Sequence, residues 1–186
     1  LAHPNIAILS AKLYNEQATR KLTIQEITWL AEGAEREDTP TRWLNHFFDP
    51  VYNRGLKGMY LSAKEWAING NKQKNFALGD NSWFRALDDY KKGDKKLAFV
   101  ALGQILHLIA DISVPAHTRD DVHIYGDSYE EYTKTNWQTI KSKLNPNFIS
   151  MENLNSVFIQ LANYTNNNFY SDDTIIGSKY SLPKLE

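Results

Sequence analysis

The chain contains no cysteine, which excludes disulfides, thiolate metal sites and a cysteine nucleophile. The compartment stays open, because secreted bacterial proteins also often lack cysteine. Neither sign of charge dominates: 21 Lys and Arg stand against 22 Asp and Glu, a formal net charge of −1. A broad electrostatic footprint for nucleic acid or acidic membranes is therefore not expected, only local patches. No stretch approaches about 18 uninterrupted apolar residues, so no transmembrane segment is read. Repeats, low-complexity blocks, long linkers and strand-like alternation are also missing. The chain opens on Leu1 rather than methionine, which suggests a longer natural protein with any signal peptide outside this sequence. Leu185-Glu186 reads as a cloning remnant.

What is present argues for a packed core. Over 186 residues, 42% are apolar and 12% aromatic, enough for one domain and too much for a disordered chain. The apolar spacing is mostly helical, and we expect a single all-α, multi-helix domain over residues 1–184. A short helix fits Ile6 to Leu13. A clearer one follows Thr23, which with Glu26 three residues on forms a capping-box pattern before Ile24, Ile27, Trp29, Leu30 and Ala34. Asp38 to Tyr52, with Pro40 and Pro50, reads as irregular. Further helices are predicted over Leu56 to Asn69, Trp83 to Tyr90 behind Ser82, Lys95 to Ile112, Tyr129 to Leu144 and Met151 to Asn163. The five tryptophans read as core anchors.

Lys95 to Ile112 is apolar almost all the way round, the signature of a helix in the centre of a domain. Yet Gln104, His107 and Asp111 recur along it at spacings of three and four, which stacks them on one face. Burying an imidazole and a carboxylate there costs several kcal/mol unless they are paired or hold a metal. A hydrogen-bonded core pair is one reading. The surroundings favour the other. All five histidines fall near acidic residues or prolines: His3; His46 with Asp38 and Asp49; and His107, His117 and His123 with Asp111, Asp120 and Asp121. Without thiolates, imidazole plus carboxylate is the ligand set that suits zinc in a catalytic setting with an open position for water.

The run His107-Leu-Ile-Ala-Asp111-Ile-Ser-Val-Pro115-Ala-His117 resembles the His-x-x-x-Asp-x-x-x-Pro-x-His core motif of bacterial zinc-dependent phospholipase C. The related S1/P1 nucleases carry a similar version. Upstream, Gly33 to Asp38 and Asn45-His46-Phe47-Phe48-Asp49-Pro50 are similar to that family's acidic loop and His-Phe-(Tyr/Phe)-Asp-Pro motif, and Tyr129-Glu130 to its Tyr-Glu pair. The resemblance spans residues 3 to about 132. It implies a helical hydrolase with two or three zinc ions. Asp38, His46, His107 and Asp111 would hold the first, His117 and Glu130 the second, and His3 would correspond to the histidine of a third. No tryptophan precedes His3, and Gly126 stands where the family places a histidine. His123 is the substitute ligand or lines the substrate site, with Asp127 in reserve.

The resemblance further implies that Asp38 is the general base, that the substrate is a phospholipid or other phosphodiester met at a membrane surface, and that the protein is secreted. Gln104 or Asp49 would orient ligating histidines. No substrate-binding residue is assigned; Phe47, Phe48, Tyr52 and Trp83 are candidates for a cationic head group, although such aromatics more often pack in the core or at its rim. Two alternatives stand beside phospholipase C. One is a single-strand nuclease that stacks bases on aromatics. The other is a non-catalytic, metal-stabilised helical domain.

Overall fold

The computed structural model describes residues 2–123, 126–144 and 153–172. In chain order its helices are α1 (Ala2–Gln17), α2 (Ile24–Arg36), α3 (Ala63–Trp66), α4 (Gly70–Gln73), α5 (Trp83–Lys92), α6 (Lys95–Asp111), α7 (Pro115–Thr118), α8 (Ser128–Thr135), α9 (Trp137–Lys143) and α10 (Leu154–Asn168). Short 3₁₀ turns lie at Arg42–Asn45 and Leu56–Gly58. Among the described residues the chain is all-α; the one β-type pairing is an isolated bridge between Asp49 and Arg54. No described helix is long and apolar enough to cross a membrane. The chain divides into two compact units, Leu1–Trp43 with Glu65–Ala110, and Leu44–Lys64 with Asp111–Glu186.

In the first unit, α2 starts where its capping box predicts. The Thr23 hydroxyl accepts from the Glu26 N–H at 3.1 Å, and the Glu26 carboxylate accepts from the Thr23 N–H at 2.8 Å. Ala11, Leu30 and Phe99 form a buried cluster, with Leu22, Ile27, Trp29, Leu102 and Leu106 packed around it. Two glycines let α2 and α6 touch backbone to backbone. A Cβ on Gly33 would lie 2.0 Å from the Val100 carbonyl oxygen, and one on Gly103 would lie 2.2 Å from that of Leu30. No side chain fits in either space. Helix α1 is longer than Ile6 to Leu13, because Ala2 to Asn5 continue the same helix into the half-buried His3.

In the second unit the predicted helix from Leu56 to Asn69 is interrupted. Lys57 and Gly58 take positive φ, 50° and 69°. The Lys57 N–H is drawn to the buried Asp120 carboxylate at 2.7 Å, and the Ala63 N–H to the Phe47 carbonyl at 2.9 Å. Those tertiary bonds hold the backbone outside helical geometry. The predicted helix from Tyr129 to Leu144 is two helices that meet at Asn136, whose side chain donates to the Tyr132 carbonyl at 2.9 Å. Met151 of the last predicted helix lies outside the described residues; α10 begins at Leu154 behind an Asn153 cap. Of the tryptophans only Trp66 is fully buried, and Trp43 is exposed.

Candidate functional site

The polar stripe of α6 is interior: Gln104, His107 and Asp111 are each at most 2% exposed. Each candidate ligand is placed by a different local device.

In the first unit, His3 from α1, Asp38 just past α2 and His107 from α6 come together. The imidazoles of His3 and His107 stack with centroids 3.8 Å apart and planes 16° from parallel. His107 Nδ1 donates to the Ala34 carbonyl at 2.6 Å, a contact made possible by the glycine-mediated approach of α2 to α6. A neutral imidazole carries one ring proton, so this bond puts the lone pair on Nε2. That nitrogen faces Asp38 Oδ1 at 3.5 Å, and the Asp38 side chain is 60% exposed. One carboxylate thus meets both a buried imidazole and solvent.

In the second unit, His117 from α7, His123 from the loop beyond it and Glu130 from α8 form another group. His117 Nδ1 donates to the His46 carbonyl at 3.2 Å, and His123 Nδ1 to the Asp121 carbonyl at 3.2 Å. Their Nε2 atoms lie 3.5 and 3.6 Å from the same Glu130 oxygen. Phe47 stacks on His117, centroids 4.6 Å apart, and tilts against His123 at 6.0 Å. The same unit pairs His46 Nδ1 with Asp111 Oδ2 at 2.8 Å.

The one-turn helix α7 is clamped from several sides. Asn166 of α10 donates to the Thr118 carbonyl at 2.7 Å, and the buried Arg119 guanidinium donates to the Asn166 carbonyl. Asp120, also buried, receives Arg54 at 3.0 Å along with the Lys57 N–H.

Electrostatics within this second group are strong. Burial alone would lower the His123 pKa, but the Glu130 carboxylate outweighs it and pushes the imidazole up to about 9. Burial alone would raise Glu130, and its two imidazole partners hold it well below the usual carboxylate range instead. Asp127 is raised by burial, and its oxygen accepts from the Glu130 N–H at 2.9 Å as the cap of α8. The reserve ligand of the sequence reading is thus occupied as a helix cap. Asp49, considered as an orienting residue, accepts from the Val51 and Tyr52 N–H groups at 3.0 and 3.3 Å and shapes a turn.

The donor chemistry fits a small divalent cation. Separations of 3.5–3.6 Å between Nε2 and carboxylate oxygen are long for a charge-assisted hydrogen bond, about 2.7–2.9 Å. They are close to the edge of a tetrahedron of atoms at zinc bonding distance, about 3.3 Å. Within each of the two groups, one ligand atom from every member lies within 4.8 Å of the others.

The orienting carbonyls of Ala34, His46 and Asp121 are the functional atoms that sequence reasoning missed. Backbone oxygens leave no trace in residue identity, though the glycine at 33 beside Ala34 was a signal of close approach. Phe47, read as substrate or core, is the wall against which two site imidazoles rest. No family model matches this chain, and no curated protein matches it.

Proposed function

We propose that the chain is a zinc-dependent phosphodiester hydrolase of the phospholipase C type. The observation that carries this reading is the shared wiring of the imidazoles: His107, His117 and His123 each spend Nδ1 on a backbone carbonyl and turn Nε2 toward a carboxylate at 3.5–3.6 Å. That is the arrangement of metal-ligating histidines with an outer shell in place. His3, Asp38 and His107 would hold one ion and His117, His123 and Glu130 another, with His46 and Asp111 completing the ligand set that the motif resemblance implies.

Zinc held by these groups would supply a Lewis acid that acidifies a water and offsets charge on the phosphodiester oxygens. The chain's own residues divide the remaining work. Asp38, the exposed carboxylate of its group, accepts the proton of the attacking water. Burial of His107 behind it excludes bulk water from the ligand side. Phe47 keeps His117 and His123 at fixed tilt and prevents either ring from turning to another partner.

A lipid substrate is favoured by the loop between Asp49 and Leu61. Val51, Tyr52, Met59 and Tyr60 are all exposed there, Met59 at 73%. Arg54 lies 4.7 Å from the Tyr52 ring centroid and, with the Lys57 ammonium, is turned back onto Asp120. The loop therefore sets exposed apolar and aromatic side chains beside two cations, Arg54 and the exposed Lys57, a composition suited to the interfacial layer of a bilayer. Contact with membranes and a secreted location belong to the same reading.

The test is metal analysis of the purified protein joined to hydrolysis of a chromogenic phosphocholine ester, run beside single-stranded DNA. Bound zinc with ester cleavage supports the proposal. DNA cleavage alone would make the protein a nuclease, and zinc without either activity would make the metals structural.

A further inference from the structure

Glu37 precedes Asp38 and points the other way, into a fully buried polar network. One carboxylate oxygen accepts from the Trp66 indole at 2.8 Å, and the other accepts from Arg42 Nε at 3.0 Å. Arg42 is itself 0% exposed. It donates onward to the carbonyls of Ala77 and Gly79 at 3.1 and 3.2 Å and to Gln73 Oε1 at 3.2 Å, and it lies over the Trp66 ring at 4.9 Å. Gln73 closes the network, donating to the Trp66 carbonyl at 2.7 Å and accepting from the Asn81 N–H at 2.8 Å.

An ion pair buried this completely gains little net free energy over apolar residues of the same volume. What it adds is direction. Glu37 caps the C-terminus of α2 with helical dihedrals, φ −65° and ψ −27°, and neighbouring side chains at such a position diverge by about 100°. Anchoring the Glu37 side chain therefore holds the backbone from which the Asp38 side chain departs. Asp38 itself is exposed, and the turn after it rests on the Thr39 and Arg42 N–H groups at 3.2 and 3.1 Å from the Arg36 and Thr39 carbonyls.

We propose that Glu37, locked by Arg42 and Trp66, is the positioning residue that aims Asp38 at the His3–His107 metal group. This inference rests on the zinc reading above. It predicts that loosening Glu37 weakens zinc at that group and leaves the His117–His123–Glu130 group alone.

The experiment uses the full chain in two backgrounds: His123→Ala, which retains the first group, and His3→Ala, which retains the second. Zinc affinity is measured in each by competition with a chromophoric chelator. Trp66→Phe is then added, which removes one donor to Glu37 without stranding the Arg42 charge; Glu37→Gln with Arg42→Leu serves as the second variant, and a thermal melt checks that each is folded. The expected result is an affinity loss on the order of tenfold or more in the His123→Ala background, with less than about a twofold change in the other. An equal loss in both backgrounds, or no loss in the first, would overturn the assignment of Glu37 while leaving the zinc reading standing. No zinc uptake in either background before the second mutation would overturn both.

Discussion

A neutral imidazole has one proton to donate and one lone pair to offer, and where the proton goes decides what the ring can bind. Here backbone carbonyls take the Nδ1 proton of His107, His117 and His123, so ligand chemistry falls to Nε2. His107→Ala or Asp111→Ala should remove zinc and lower the melting temperature, because each leaves buried polar partners behind; full metal content by elemental analysis would contradict this. Asp38→Asn retains an oxygen but cannot take a proton. Its turnover of a phosphocholine ester should fall by roughly 10²–10⁴, a larger loss than any in zinc content.

The same scale sets the pH behaviour of the metal-free protein. His123 has its folded pKa raised from 6.5 to about 9, so its contribution to stability is complete below pH 6.5 and is lost as pH rises through about 9. Glu130 has its pKa depressed, so its contribution is present above its ordinary value and is lost on acidification. On the zinc reading, a metal bound at His123 would have to displace its proton. Binding at pH 7 should therefore release on the order of one proton from this group, readable by calorimetry in buffers of different ionisation enthalpy. A buffer-independent heat would contradict the ligand assignment.

At the scale of elements, the sequence spoke clearly where local rules suffice. The Thr23–Glu26 capping box stands as written, and the apolar run from Lys95 predicts α6 to within a residue of its end. It failed at Leu56–Asn69, where apolar spacing suggested one helix. The outcome there was settled by Asp120, far along the chain, which captures the Lys57 N–H. For the candidate site, residue types and the i, i+4 stripe were legible, and the Asp127 cap three residues before Glu130 is a local pattern of the same kind as Thr23–Glu26, whereas the carbonyls that orient the rings and the burial of Glu37 and Arg42 depend on packing that no local pattern encodes.

Two predictions belong to this scale. Gly33→Ala or Gly103→Ala must force α2 and α6 apart, since a methyl would sit within 2.2 Å of a carbonyl oxygen. A loss of about 1–3 kcal/mol is expected, with weaker zinc binding as His107 loses the Ala34 carbonyl. At the exposed loop, Met59→Asp with Tyr52→Ser should reduce sedimentation with phosphatidylcholine vesicles while leaving turnover of a soluble ester unchanged. An unaltered vesicle affinity would remove the loop from the lipid reading.

For the molecule as a whole, anything that binds only the folded form stabilises it by mass action, about 2.7 kcal/mol at a hundredfold excess over the dissociation constant. Chelation should thus lower the melting temperature, and restoring zinc should recover it. The chain also passes back and forth between its two compact units, at Trp43, Lys64 and Ala110. A ribosome releasing this polypeptide from its N-terminus has delivered parts of both units by residue 64 and finished neither. No contiguous fragment ending there contains either unit whole, and on the zinc reading His3 gains its partner only once His107 has emerged, which would make metallation a late event in the birth of the molecule.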